Sequence, residues 1–165
     1  MEITQIVEKL REFASPEAIT IILSALPVSE LRGAIPVAMG VFKFSAAKSF
    51  LLAVFGNMLP VPVILFFLEN TSSFLSAKWS PAEKFFRWLF ERTRKKFYKK
   101  HSIYGDIVLI VFVAIPLPAT GAWTGSVAAF LFGIKKLPAF GYIFAGVIIA
   151  GIIVTSLCAG AISFF

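Results

Sequence analysis

The chain has 165 residues, 58% of them hydrophobic and 15% charged, with nineteen Phe and a mean hydropathy of +0.86. A soluble domain carries about a quarter charged residues and roughly 45–50% apolar ones, so this composition excludes a water-soluble globular enzyme and indicates an integral membrane protein. Cys158 and His101 are the single cysteine and histidine, which excludes a disulfide scaffold and any zinc or haem site of paired Cys and His ligands; no metal or cofactor is expected. The net charge of +7 comes largely from one stretch between apolar segments, a pattern that fits anionic lipid headgroups and not nucleic acid.

Residues 1–14 read as an amphipathic surface helix, with Ile3, Ile6, Val7, Leu10 and Phe13 at helical spacing and Glu8, Lys9, Arg11 and Glu12 opposite. Met1-Glu2-Ile3-Thr4 is acidic where a signal peptide would be basic, so no cleavable signal is expected. Ser15-Pro16-Glu17 supplies a cap, a first-turn proline and an acid for a new helix. The apolar stretch that follows is interrupted by Pro27, Glu30, Arg32, Gly33 and Pro36. A charge at mid-bilayer costs about 2.5–3.5 kcal/mol on an insertion scale, and an interior proline about 3 kcal/mol more. A continuous span is therefore unfavourable. The expectation is a re-entrant hairpin over 17–42: a helix to residue 26, an irregular turn over 27–36, and a short returning helix near 37–42.

The run 49–68, within a segment 45–69, is uncharged and long enough to cross the bilayer. The polar segment 70–103 contains Ser80-Pro81-Ala82-Glu83, a capping box, followed by Phe85, Phe86, Leu89, Phe90 and Phe97 at helical spacing. Arg87, Arg92, Arg94, Lys95 and Lys96 lie among them, so the segment reads as a basic amphipathic helix on a lipid surface. Its nine Lys and Arg place it on the cytoplasmic side of the cell membrane. A second broken segment, 104–134, carries Pro116, Pro118, Gly121 and Gly125 near its middle, and 137–164 is a charge-free span.

The order therefore repeats: broken segment, short basic turn, span. Ala25-Leu26-Pro27-Val28 matches Ala114-Ile115-Pro116-Leu117 within it. Paired interrupted segments are the usual sequence pointer to a transporter site. Re-entrant segments make the repeats inverted, whereas fully spanning ones make four crossings and parallel repeats; counting positive charges does not separate the two. The fold expectation is an all-α integral membrane protein, an inverted repeat of re-entrant helical hairpin plus transmembrane helix, with the interfacial basic helix between repeats.

The candidate coupling and substrate residues are Pro27, Glu30, Arg32, Pro36, Asn57, Asp106, Pro116, Pro118, Thr120, Trp123 and Thr124. A shielded Glu30 would favour its protonated form and could exchange a proton. Arg32 stays charged, and could bind phosphate or simply lock onto Glu30. The second break offers hydroxyls, backbone donors and an indole N–H. Asp106 reads first as a helix N-cap, and Asn57 as a cavity residue or a helix–helix hydrogen bond. Small residues Gly146/Ala150 and Gly151/Thr155/Ala159 mark close helix packing, within the chain or across a homodimer. No nucleophile–base pair, metal cluster or phosphate loop points to an enzyme.

Ser29-Glu30-Leu31-Arg32-Gly33-Ala34-Ile35-Pro36 resembles the signature of the small multidrug export protein family, and Pro116-Leu117-Pro118-Ala119-Thr120-Gly121-Ala122-Trp123-Thr124-Gly125 resembles its second signature. That family is similar to the wider DedA/VTT group. The resemblance implies two re-entrant hairpins in an inverted repeat, acidic residues in proton coupling and arginines in lipid-phosphate handling. By motif, Glu30 would be the acid and Arg32 its basic neighbour; the second break departs from that group in having neither. The functional expectation is ion-coupled alternating-access export of a small or amphipathic substrate through a cavity between the two broken segments; the alternatives are lipid or lipid-phosphate translocation and, in a different class, a non-transporting membrane assembly factor whose basic helix recruits a partner.

Overall fold

A computed structural model describes residues 14–68, 102–117 and 120–164. The surface helix expected at 1–14 lies outside them but for Ala14, as does the basic helix with Arg87, Arg92, Arg94, Lys95 and Lys96, and so does Pro118. Every regular element among the described residues is helical. In chain order they are α1 (Pro16–Ala25), α2 (Glu30–Pro36) with a π-helical extension (Val37–Val41), α3 (Ala46–Met58), α4 (Ser102–Ala114), α5 (Ala122–Phe132) and α6 (Lys136–Phe164). α3 is the first part of a longer helical stretch, Ala46–Leu68, and this stretch and Lys136–Ile162 are the two long enough and apolar enough to cross a membrane. At 1.5 Å per residue they reach about 34 and 40 Å, against about 30 Å of hydrocarbon.

Contacts divide the chain into two units, Met1–Leu59 with Val147–Phe165, and Pro60–Gly146. In the first, Ser15 begins α1 by accepting the Ala18 N–H at its Oγ, with Pro16 in the first turn. Pro27 ends it: Leu26, the residue before the proline, is extended at φ −76°, ψ 140°. The chain then turns over 26–29, and Ala14, Ile19 and Leu23 pack with Val37, Val41, Phe42 and Phe44. The outgoing and returning arms therefore lie against each other, as a helical hairpin requires.

α3 starts beside α1 and runs in the same direction. Near their starts, Lys48 Nζ donates to Glu17 Oε1 at 2.6 Å. Further along, the Ser24 hydroxyl donates to the Ala53 carbonyl, and a Cβ on Gly56 would lie 2.4 Å from the Ile21 carbonyl oxygen. Thr20, Ser24, Ser49, Ala53 and Gly56 are buried on this seam; small residues let the two backbones approach. Beyond it the ladder breaks at Leu59. Pro60 has no N–H for the Gly56 carbonyl, and Leu59 N–H takes that acceptor at 3.2 Å. The sequence read this span as uninterrupted, so the proline break is a correction.

The second unit follows the same plan. Near the starts of α4 and α6, Tyr142 Oη donates to Asp106 Oδ2 at 2.8 Å. Further along, a Cβ on Gly146 would meet Val113 Cβ at 2.6 Å and the Ile110 carbonyl at 2.8 Å. One interval separates Glu17 from Asp106, Ile21 from Ile110, Ser24 from Val113, and Pro27 from Pro116. Gly56 and Gly146 stand equally far from Ala46 and Lys136, where their helices begin. The sequence repeat is thus a repeat of contacts as well as of elements. Gly125 was expected in the second break, but it lies within α5. Its smallness serves packing: a Cβ there would lie 2.5 Å from Val113 Cγ2.

Candidate functional site

The first break differs from its expected form in a way that shapes the site. The irregular backbone is confined to 26–29, and the chain is helical again from Glu30. Two bonds account for this: Glu30 N–H reaches the Leu26 carbonyl at 3.0 Å, and Gly33 N–H reaches that of Ser29 at 2.8 Å. The Ser29 hydroxyl donates back to the Leu23 carbonyl, tying the turn to α1. Glu30 and Arg32 therefore project from a helix start. Pro36 is also helical, at the junction where the ladder widens into the π segment. There Phe42 N–H bonds Val37 O at 3.1 Å and Phe44 N–H bonds Ala38 O at 2.9 Å.

Glu30 adopts φ 45°, a left-handed conformation that non-glycine residues rarely take and that costs of order 1–3 kcal/mol. This backbone holds a carboxylate whose side chain is 5% exposed, with Oε2 3.6 Å from the Arg32 guanidinium. Arg32 itself is 21% exposed. A buried carboxylate beside a partly accessible guanidinium is a neutralised pair while ionised, and protonation of the acid would leave the arginine its net charge. Pro27 is exposed at the tip and Val28 is 96% exposed, so the described residues leave the irregular backbone uncovered.

Asn57 is buried on the same unit, 1% exposed, and its Oδ1 has no hydrogen-bond partner among the described residues. The register of α1 on α3 brings Ser24 to Ala53 and Gly56, so the turn after α1 falls at the level of Asn57. Asn57 is also the central residue of the Ala46–Leu68 stretch. Ser24, Ser29 and Ser49, buried or half-buried polar residues of this unit, were not singled out from sequence; the four-residue spacing of Thr20 and Ser24 was the available signal.

Three hydroxyls in and after the second break bond nearby carbonyls. The Thr120 hydroxyl lies 2.7 Å from both the Ile115 and Leu117 carbonyls, and its proton is shared between them. Thr124 Oγ1 donates to Gly121 O at 3.4 Å, and Ser126 donates to Ala122 O at 2.7 Å. Gly121 has φ 113°, a value glycine adopts without strain. Pro116 and Trp123 are half-buried. Asp106 is not an N-cap: it lies inside α4, where Tyr142 binds its carboxylate. A cavity of about 220 Å³ lies elsewhere, lined by Ala46, Ala47, Phe50, Ile152, Thr155 and Ser156. It sits at the start of α3, about 15 Å along the helix from Asn57, and takes in none of the candidate residues. No group of three or more His, Cys, Asp or Glu able to hold a metal occurs among the described residues.

A family model described as Putative small multi-drug export protein matches residues 30–153, from Glu30 through the second break into α6. The chain belongs to that family. Together with two helices able to cross a bilayer, membership makes it a membrane protein of the small multidrug export type. No match to a curated protein or to a solved structure was found.

Proposed function

We propose that the chain is an exporter of small amphipathic molecules in the cell membrane, working by alternating access, with Glu30 as the proton-coupling acid and Arg32 as its ionic partner. The observation carrying this reading is the Glu30–Arg32 pair at the break of a helical hairpin, level with the centre of a membrane-length helix. An ionisable pair at that depth is costly and is ordinarily retained for an ion or substrate pathway. The exposed irregular tip supports the same reading, since open backbone at membrane depth is tolerated where it lines a water-filled path. Trp123, with Thr120 and Thr124 as hydroxyl acceptors, is proposed to contact substrate. The basic segment 70–103 is proposed to rest on anionic headgroups at the cytoplasmic face. No enzymatic step is part of this reading.

The test is efflux of ethidium from proteoliposomes under an imposed pH gradient. Glu30→Gln is expected to abolish the gradient dependence while leaving the protein monodisperse in detergent. Full transport with unchanged pH dependence in that variant would falsify the proposal. Arg32-dependent scrambling of a labelled anionic lipid, in place of ethidium efflux, would replace it with lipid translocation.

A further inference from the structure

The reading above gives Glu30 a partner when ionised, and the structure also offers one for its protonated form. We propose that, on taking up a proton, the Glu30 carboxyl leaves Arg32 and donates its new O–H to Asn57 Oδ1, which makes Asn57 the positioning residue of the proton-bound state. This rests on Glu30 being the coupling acid and adds what happens at that site when the proton arrives.

Three observations carry it. First, Asn57 Oδ1 is a buried acceptor with no partner among the described residues. A buried polar atom without a partner is rare and calls for an explanation, and an acceptor that is filled only in a second state supplies one. Second, the register of α1 on α3 sets Asn57 level with the turn that ends at Glu30, and α2 packs against α3. The other buried oxygen on α3 without a partner, Ser49 Oγ, lies about two turns away at the Glu17–Lys48 end. Third, the 3.6 Å separation of Glu30 Oε2 and the Arg32 guanidinium is a loose ion pair rather than a tight hydrogen-bonded fork.

The other charged side chains described in this unit are engaged at its far end or exposed. Glu17 on α1 and Lys48 on α3 bind each other at the far end, and Lys43 is exposed beyond the π segment. Arg32 is a charged group beside Glu30. The proton enters from water at the exposed tip and adds to a carboxylate oxygen. The carboxyl becomes a donor, for which asparagine oxygen is a fitting acceptor, and Arg32 is left with its net charge. Loss of the proton reverses each change.

Infrared titration of the full chain in lipid reads both partners without a transport substrate. The Glu30 carboxyl band is identified by its loss in Glu30→Gln. The chain has two asparagines, Asn57 and Asn70, so ¹³C-asparagine labelling in an Asn70→Ser background isolates the Asn57 amide band. The expected result is that this band shifts with the same midpoint as the Glu30 carboxyl band. Asn57→Leu is expected to lower that midpoint by about one pH unit, a tenfold loss of proton affinity, and Asn57→Gln to restore part of it. An Asn57 band that stays fixed while Glu30 titrates overturns the proposal, and this holds even where Asn57→Leu does not fold. The absence of any Glu30 titration overturns it too. Unchanged ethidium efflux in Glu30→Gln, with a moving Asn57 band, would instead sink the coupling role and leave the hydrogen-bond exchange standing.

Discussion

Single atoms decide how closely these helices pack. A methyl group on Gly56 would sit 2.4 Å from the Ile21 carbonyl oxygen, a backbone atom that cannot rotate away. Gly56→Ala must therefore push α1 off α3 and break the Ser24–Ala53 bond, a change of about 1–3 kcal/mol by the usual cost of overpacking. Gly141, exposed and with nothing within 4 Å of its would-be Cβ, is the matched control. We expect thermal unfolding in detergent to shift down clearly for Gly56→Ala and to stay level or rise for Gly141→Ala. Thr120 makes a complementary case. Its hydroxyl satisfies carbonyls that the Pro116 break leaves without helical partners, so Thr120→Val should cost about 0.5–1.5 kcal/mol. Ethidium efflux per folded molecule, measured alongside, separates that structural role from a substrate contact.

At the scale of elements, what was legible in the sequence was whatever depends on composition and on prolines. Charge-free runs gave both long helices to within a few residues, because twenty apolar positions in a row have few other uses. Pro27 and Pro116 ended α1 and α4 where a missing N–H and the residue before it demand. Pro36 and Pro60 misled, in opposite senses. Pro36 reads as part of an irregular turn and is helical, the last residue of α2 ahead of the π segment; Pro60 reads as part of a smooth span and breaks its ladder. Tertiary contacts decide such cases, and no local rule contains them. The Glu30–Arg32 pair was legible from spacing, whereas the level of Asn57 beside it depended on the α1–α3 register.

That register has a clasp at its start. The Lys48 hydrogen bond, followed by the backbone at the helix N-terminus, holds the Glu17 carboxyl below its ordinary range. A depressed acid stabilises the fold above its unfolded value of about 4.3, and the contribution fades as pH falls through the lower folded value. Glu17→Gln should therefore unfold slightly earlier than the wild type at neutral pH. The two melting temperatures should converge under acid. The difference will be small, because both side chains are well exposed and solvent screens them.

At the scale of the whole chain, the lengths of the arms bear on membrane topology. α1 has ten residues and reaches about 15 Å; α2 with its π extension covers 30–41 and reaches less than about 20 Å. Neither arm matches about 30 Å of hydrocarbon. Ala14 and Phe44 belong to one apolar cluster with Ile19 and Phe42, so the chain leaves the hairpin at the end where it entered. α3 starts at that same end, held by Glu17 and Lys48, and opens the Ala46–Leu68 stretch that is long enough to cross a membrane. If the hairpin is re-entrant, the two ends share one membrane face, and Leu68 reaches the other. In a Cys158→Ser background, single cysteines at Ala14 and Lys43 should then react with an impermeant maleimide from one side of sealed vesicles. A cysteine at Leu68 should react from the opposite side, and one at Pro27 slowly through the water path at the tip. Labelling of positions 14 and 43 from opposite faces would require the hairpin to open into two crossings. That outcome would take the Glu30 turn out of the membrane interior, and with it the physical reason for treating a single buried acid as the coupling site.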